Sequence, residues 1–337
     1  MKTYLILRFS SVGNIAMTVP IIASLSRRYP DDRFIVVSKK RLSALFYGME
    51  NVKFHEADFT LPGLRGGLKS IWQLYHELKR YEIDEVIDLQ DVIRTRIIRT
   101  LFAWHHKPVR IIDYGRTEKK AMTLTGFQGK RLITEFERYA RTFAQAGLET
   151  DDQFEHLSVN KDALQKIRER YGIKTGKWLG IAPFAKSKSN MLPYRTIKEV
   201  IAHYAEQTDV QIFLFGAGEM ESEVLKQWAS VFPRTISVAG ILPLEEEMEL
   251  MRQLDVMLCM DSANQHLASL VGLRVVSIWC ATHPGIGFYG WKQSEADCIQ
   301  TRLSCRPCSI HGTDKCRFRN DECKKIKSED IWQKLSL

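Results

Sequence analysis

Four short segments carry residue types whose chemistry depends on being brought together. "LCMDSANQHLASLVG" (258–272) sets Asp261, Ser262 and Ala263 just ahead of Asn264, with His266 in the first turn that follows. The apolar run before Asp261 reads as a strand, and the residues after Ala263 read as a helix. A helix start leaves N–H groups unpaired, and small residues at 262 and 263 let a diphosphate approach them. His266 would add a hydrogen bond or a positive charge there. The same residues also make an ordinary N-cap at Asp261 and a packed histidine. "FGAGEMESE" (215–223) is a second strand-to-helix turn. Gly216 and Gly218 permit a sharp bend near a ligand; Glu221 or Glu223 would hold ribose hydroxyls, or simply favour the first turn of a helix. "IAPFAKSKSN" (181–190) offers Lys186 and Lys188 to phosphates, and "IWCATHPGIGFYGW" (278–291) offers Thr282 and His283 on a Pro-Gly bend.

Two further segments are less complete. "RFSSVGNIAM" (8–17) has the form of a strand end, a polar turn and a helix start, the place where α/β proteins bind ligands. Its tip carries Asn14, an amide with no proton affinity near neutral pH. "CRPCSIHGTDKCRFRNDEC" spaces Cys305, Cys308, Cys316 and Cys323 as C-x2-C-x7-C-x6-C. Four thiolates so placed are a candidate structural zinc site, with no open position for catalysis. Free thiols, or disulfides after oxidation, are the alternatives.

The elements that must position these residues alternate strand and helix. Strands are predicted at Thr3–Phe9, Phe34–Ser38, Val52–His55, Val86–Leu89 and Val109–Ile112, and helices at Ile15–Tyr29, Ala44–Met49, Leu68–Arg80 and Ile93–Trp104. Pro20 must lie in a first turn or kink its helix. The basic stretch Tyr114–Arg131 breaks the rhythm and reads as a mobile loop, followed by a helix at Thr134–Ala146. The second half repeats the pattern. Its strands are predicted at Leu179–Ala182, Gln211–Phe215, Ile236–Val238, Val256–Cys259 and Val275–Ile278. Its helices are predicted at Thr196–Glu206, Glu219–Ala229, Leu244–Leu254 and Asn264–Val271, with a last one at Ser328–Leu337. Repeated strand–helix units imply parallel sheets covered on both faces. The expected architecture is two Rossmann-like α/β domains facing across a cleft, over residues 1–160 and 172–325, with a C-terminal helix at 326–337.

The 337 residues are 45% hydrophobic and 26% charged, with a net charge of +9. That balance favours anionic partners. No RNP, KH or zinc-finger signature accompanies it, so nucleic acid is not an expected partner. No apolar run reaches the ~20 residues that span a bilayer. The opening run is too short for a signal sequence and reads as the first strand, so a cytoplasmic protein is expected. The seven cysteines all lie from Cys259 onward, an odd number that argues against a disulfide framework.

Taken together, "LRFSSVGNIAMTVPIIASLSRRYPDDRFIVVS" and "MDSANQHLASLVGLRVVSIWCATHPG" resemble the family 9 glycosyltransferases, the lipopolysaccharide heptosyltransferase group. The resemblance runs from Lys2 to about Cys323 and includes the C-x-P-C cluster. It implies a GT-B fold, with acceptor bound by the first domain and nucleotide sugar by the second. It implies inverting transfer from a donor such as ADP-heptose to a lipid-linked or core oligosaccharide, without an obligatory metal. Asp261, Ser262, Ala263 and His266 would contact the donor diphosphate and sugar, with Lys186, Glu221 and Thr282 as further matches. The basic residues of Tyr114–Arg131 and Arg94–Arg110 would meet acceptor phosphates or the anionic inner membrane surface, as a peripheral contact.

The sequence departs from the family's pattern at four places. Ala263 replaces a glycine, Cys280-Ala281-Thr282-His283-Pro284 replaces G-x-T-D-P, Asn190 replaces a lysine, and Asn14 replaces the aspartate expected as the base. An amide can orient the acceptor hydroxyl but cannot deprotonate it. Asp88 and Asp91 are the substitute base candidates. The alternative is a catalytically impaired relative that still binds nucleotide sugar.

Overall fold

The computed structural model describes residues 1–57, 63–316, 318 and 320–337. In chain order the first elements are β1 (Thr3–Leu7), α1 (Val12–Ala16), α2 (Val19–Arg28), β2 (Arg33–Ser38), β3 (Val52–Glu56), α3 (Gly63–Lys79), β4 (Glu85–Asp88), α4 (Ile93–Trp104) and β5 (Val109–Ile111). Then come α5 (Arg116–Thr125), α6 (Glu135–Ala144) and α7 (Lys161–Tyr171). The rest are β6 (Lys177–Ala182), α8 (Tyr194–Ala205), β7 (Val210–Leu214), α9 (Glu219–Val231), β8 (Thr235–Ser237), α10 (Leu244–Gln253), β9 (Val256–Met260), α11 (Ala263–Leu270), β10 (Val275–Trp279), β11 (Cys298–Gln300) and α12 (Ser328–Leu335). Two compact units result. Unit 1 is Met1–Tyr114 with Glu135–Phe154, and unit 2 is Gly115–Thr134 with Glu155–Leu337.

Unit 1 is built on a parallel sheet of order β3-β2-β1-β4-β5. Every residue of β1 is buried, as a strand covered on both faces requires. Leu5, Leu7, Ile35, Val37 and Val86 pack with Ile71, Leu74, Leu78, Ile98 and Phe102 of α3 and α4. Unit 2 is built on a parallel sheet of order β11-β10-β9-β6-β7-β8. Strands β9 and β10 are likewise wholly buried. Each sheet reverses its strand order once, between β1 and β4 in unit 1 and between β6 and β9 in unit 2. The crevice outside such a reversal is where open α/β sheets bind ligands. Among the turns singled out from the sequence are those that leave β1 and β4 in one unit and β6 and β9 in the other.

The expected pair of Rossmann-like sheets is present, with local differences. The single helix expected over Ile15–Tyr29 is two, because the Thr18 hydroxyl donates to the Ile15 carbonyl and Pro20 opens α2 from its first turn. The helix expected at Ala44–Met49 is a 3-10 segment at Lys40–Phe46. Tyr114–Arg131 is not a mobile loop: it holds α5, and the chain after α5 is tied into unit 2. The Phe127 amide donates to the Arg306 carbonyl and the Leu132 amide to the Gly285 carbonyl. Gly126, at φ +73°, sits so close to the Ser304 carbonyl that a Cβ would collide with it. α7 escaped the sequence reading because its exposed face is highly polar. Its start is nevertheless orthodox, since the Asn160 side chain accepts from the Ala163 amide.

Candidate functional site

In unit 2 the turn after β9 converges on one carboxylate. Asp261 Oδ2 accepts from the Thr282 hydroxyl at 2.5 Å and from Asn190 Nδ2 at 3.3 Å, and Oδ1 accepts from Gln265 Nε2 at 2.9 Å. Three elements supply these donors. Asn190 ends the 3-10 turn Lys188–Asn190 that follows β6, Gln265 stands on α11, and Thr282 lies on the loop after β10. Burial pushes the Asp261 carboxyl up from its usual 3.8 to about 6, with the hydrogen bonds from Thr282 and Gln265 and the charge of Arg306 pulling the other way. The folded value exceeds the unfolded one. The ionised carboxylate therefore costs stability at neutral pH, a cost relieved as pH falls through about 6 toward 4.

Around Asp261 the site presents hydrogen-bonding atoms without protein partners. Asn190 Oδ1, Gln265 Oε1, Ser262 Oγ and His266 Nδ1 are all buried and unpaired. Asn190 and Gln265 are 3% and 1% exposed, so their amides are not simply solvated. Because both amide NH2 groups are committed to Asp261, their carbonyl oxygens are what remain for a ligand. An orphaned buried acceptor costs ~1–3 kcal/mol, so a cluster of them marks a place built to be satisfied by something bound. His266 is held neutral, its pKa lowered to about 4 by burial, so it supplies a hydrogen bond and not the positive charge considered above. Ser262 caps α11 without a side-chain hydrogen bond, which leaves its hydroxyl and the first helix amides open.

The other residues expected at the donor site behave differently. Lys186 and Lys188 are exposed on the loop after β6. Glu221 accepts the Ala217 amide at 2.8 Å and so stiffens its own turn, while burial raises its pKa. A Cβ at Gly216 would press on Leu225 and Glu221, which makes that glycine a packing requirement. His283 turns inward: Nδ1 accepts the Gly285 amide and the ring stacks on Phe127 at 4.0 Å.

The cysteine quartet does not support the candidate zinc site. Among the described residues no three His, Cys, Asp or Glu side chains are grouped so as to hold a metal ion. The Cys308 thiol donates to the Cys305 carbonyl, Cys316 contacts the Asn320 side chain, and Cys323 is buried in the apolar core of unit 2. The thiols thus have separate local surroundings, and none of the seven cysteines is in a disulfide.

In unit 1, Asn14 is half-buried in α1, and the Tyr139 hydroxyl donates to its carbonyl oxygen at 3.3 Å. Asp88 is 0% exposed. Its Oδ1 accepts the amides of Gln90 and Asp91, and its Oδ2 accepts from Arg99 at 2.7 Å. Asp91 is gripped by Arg96 through two hydrogen bonds and by Arg99 at 3.0 Å. The Arg96 hydrogen bond is the main reason its carboxyl lies below the usual range. Both substitute bases are therefore ion-paired with arginines, and for Asp91 this pairing weakens it as a proton acceptor. Arg96 and Arg99, with Arg110 on Glu85, also spend basic charge of the Arg94–Arg110 region inside the unit. Sequence reading missed Arg8, which reads as part of a strand. It is buried, donates to the Leu89 carbonyl at 2.5 Å, and lies over the rings of Tyr114 and Tyr139. Gln90 was missed as well. It accepts the Phe9 amide and donates to Ser10, stitching the turn after β4 to the turn after β1.

Two Rossmann-like α/β units, with unpaired polar atoms clustered on the turn after β9, make up the architecture of the GT-B class. The particular family follows from comparison with known proteins. The sequence profile of glycosyltransferase family 9 (heptosyltransferase) matches residues 71–315, and the chain belongs to that family. It is 21% identical over 290 residues to the lipopolysaccharide core heptosyltransferase OpsX of Haemophilus influenzae, covering 84% of this chain and 80% of that protein. Its fold matches a family 9 glycosyltransferase from Veillonella parvula with a TM-score of 0.78, at 15% identity, over 99% of this chain and 96% of the other. It also matches the ADP-heptose lipopolysaccharide heptosyltransferase II of E. coli with a TM-score of 0.72, at 16% identity, over 100% and 98% of the two chains. Among the described residues no helix is long and apolar enough to cross a membrane.

Proposed function

We propose that this glycosyltransferase moves a heptose from ADP-heptose to a lipopolysaccharide-core acceptor with inversion, working from the cytoplasm. The observation that carries the reading is the cradle of unpaired acceptors around Asp261. Phosphates need donors, whereas sugar hydroxyls can donate. Asn190 Oδ1, Gln265 Oε1 and the Asp261 carboxylate therefore suit the hydroxyls of the transferred sugar. The diphosphate belongs with the donors: the α11 amides, Ser262, and Lys186 and Lys188 on the neighbouring loop. These groups would stabilise the departing nucleoside diphosphate as the glycosidic bond breaks.

Unit 1 would take the acceptor at the turn after β1. The Asn14 amide oxygen can accept a hydrogen bond from the attacking hydroxyl and orient it, with the proton passing to water. The second reading, a slow or non-transferring donor binder, is favoured by one observation: Asp88 and Asp91 are both engaged by arginine. Peripheral contact with an anionic membrane belongs to the first reading, supported by the +9 net charge and by Trp72 and Trp104, which stand exposed on α3 and α4. The test is transfer from ADP-heptose to a core oligosaccharide, followed as a mass increase of one heptose. Transfer supports the first reading. ADP-heptose binding without transfer supports the second, and binding of neither ADP-heptose nor ADP removes both.

A further inference from the structure

We infer that Arg306, inside the cysteine-rich segment, is a positioning residue for the donor sugar, acting through Thr282. This rests on the reading of the Asp261 cradle as the sugar subsite. Arg306 is 1% exposed, and all three of its guanidinium nitrogens donate. Nε bonds the Cys280 carbonyl. Nη2 bonds the carbonyls of Trp279 at 2.8 Å and Thr282 at 2.6 Å, and Nη1 bonds the Thr301 carbonyl at 2.7 Å and Gln300 Oε1 at 3.0 Å. Three of these carbonyls belong to consecutive or near-consecutive residues leaving β10. That stretch turns its oxygens toward one point, and the charged guanidinium satisfies all three. The geometry of the turn is what lays the Thr282 hydroxyl on Asp261 Oδ2.

The surrounding backbone extends the same clamp. The Cys308 amide donates to the Ala281 carbonyl, and the Ala281 amide to the Ser189 carbonyl. The Ser189 amide donates to the Thr313 carbonyl, and the Thr313 amide returns a bond to the Ser189 hydroxyl. Residues 306–313 therefore brace both loops that supply donors to Asp261, the one with Thr282 and the one with Asn190. This gives the C-x-P-C segment a role that needs no metal. The forked guanidinium is essential to it, because a lysine ammonium has three donors at one nitrogen and cannot span carbonyls from Trp279 to Thr301.

The experiment measures ADP-heptose and ADP affinity by calorimetry for wild type, Arg306→Lys, Thr282→Val, the double variant and His266→Ala, each checked for folding by its thermal transition. Arg306→Lys is expected to weaken ADP-heptose about tenfold while leaving ADP within about twofold. The double variant is expected to lose no more than the stronger single, since both changes act on one hydrogen bond. Equal losses for ADP and ADP-heptose, additive losses, or a folded Arg306→Lys with unchanged affinity each overturn the inference. If wild type itself does not prefer ADP-heptose to ADP, the sugar-subsite reading has failed instead, whatever His266→Ala does to ADP. Should Arg306→Lys not fold, a Thr282→Val variant that keeps the wild-type preference for ADP-heptose is enough to overturn the inference.

Discussion

The two units offer the same topological crevice and fill it with opposite electrostatics. In unit 1 the carboxylates beside the strand reversal, Asp88 and Asp91, are closed by Arg99 and Arg96. In unit 2 Asp261 is met by a hydroxyl and two amides, all neutral. A carboxylate paired with arginine has little left for a ligand. One held by neutral donors keeps its charge and turns the far sides of those amides into further acceptors. Arg306 stands behind Asp261 without touching it and tempers its raised pKa. On the proposed function, unit 2 would grip the polyhydroxylated donor and unit 1 would place the acceptor rather than take its proton.

The sharpest way to break that contrast is to give unit 1 a base. Asn14→Asp is expected to raise kcat by about 100-fold, at the low end of what general-base help supplies. A gain under twofold in a steady-state transfer assay would show that proton removal does not limit the enzyme. The converse change removes the charge in unit 2. Asp261→Asn keeps the shape but sets an NH2 against donor groups, and kcat/KM should fall about 100-fold, or ~3 kcal/mol. The pH profile tests the same carboxylate without mutation. With Asp261 titrating at about 6, its three hydrogen bonds demand the ionised form, so kcat/KM should fall about tenfold between pH 7 and pH 5. His266 and His283 are lowered to about 4, Cys280 is raised to about 12 and Cys259 stands well above its usual value, so none of these neighbours competes in that window. A profile flat from pH 7 to pH 5 would separate Asp261 from donor binding. The smallest effect belongs to His266→Ala. A neutral imidazole contributes one ordinary hydrogen bond, so ADP affinity should weaken about fivefold, and calorimetry giving an unchanged value would remove it from the site.

Much of this was legible in the chain itself. Buried parallel strands show as unbroken apolar runs such as Thr3–Leu7 and Val256–Met260, and the turns after them carry the polar residues. Asp261, Ser262 and His266 were singled out because they share one turn; Gln265 was not, although its place four residues after Asp261 is a spacing that can bring a side chain on the first helical turn back over the strand end. The basic stretch after Tyr114 was misread because α5 has almost no continuous apolar face of its own; its order comes from loops that lie far along the sequence. The zinc reading failed for a related reason. Cysteine spacing fixes which thiols are near in sequence, while the fold sends Cys308 to the Cys305 carbonyl, Cys316 to Asn320 and Cys323 into the apolar core.

By itself, then, the sequence determined the alternation of strands and helices, the family, and the absence of an acid at the tip of the opening turn. Local patterns suffice for these because hydrophobic periodicity and turn chemistry act over a few residues. Only the tertiary structure decided that Asn190, Gln265 and Thr282 converge on Asp261, that Arg306 holds the loop of one of them, and that Asp88 and Asp91 are tied to arginines. The order of strands in a parallel sheet brings together loops from distant parts of the chain. Which side chains meet there depends on packing that no short window of sequence contains.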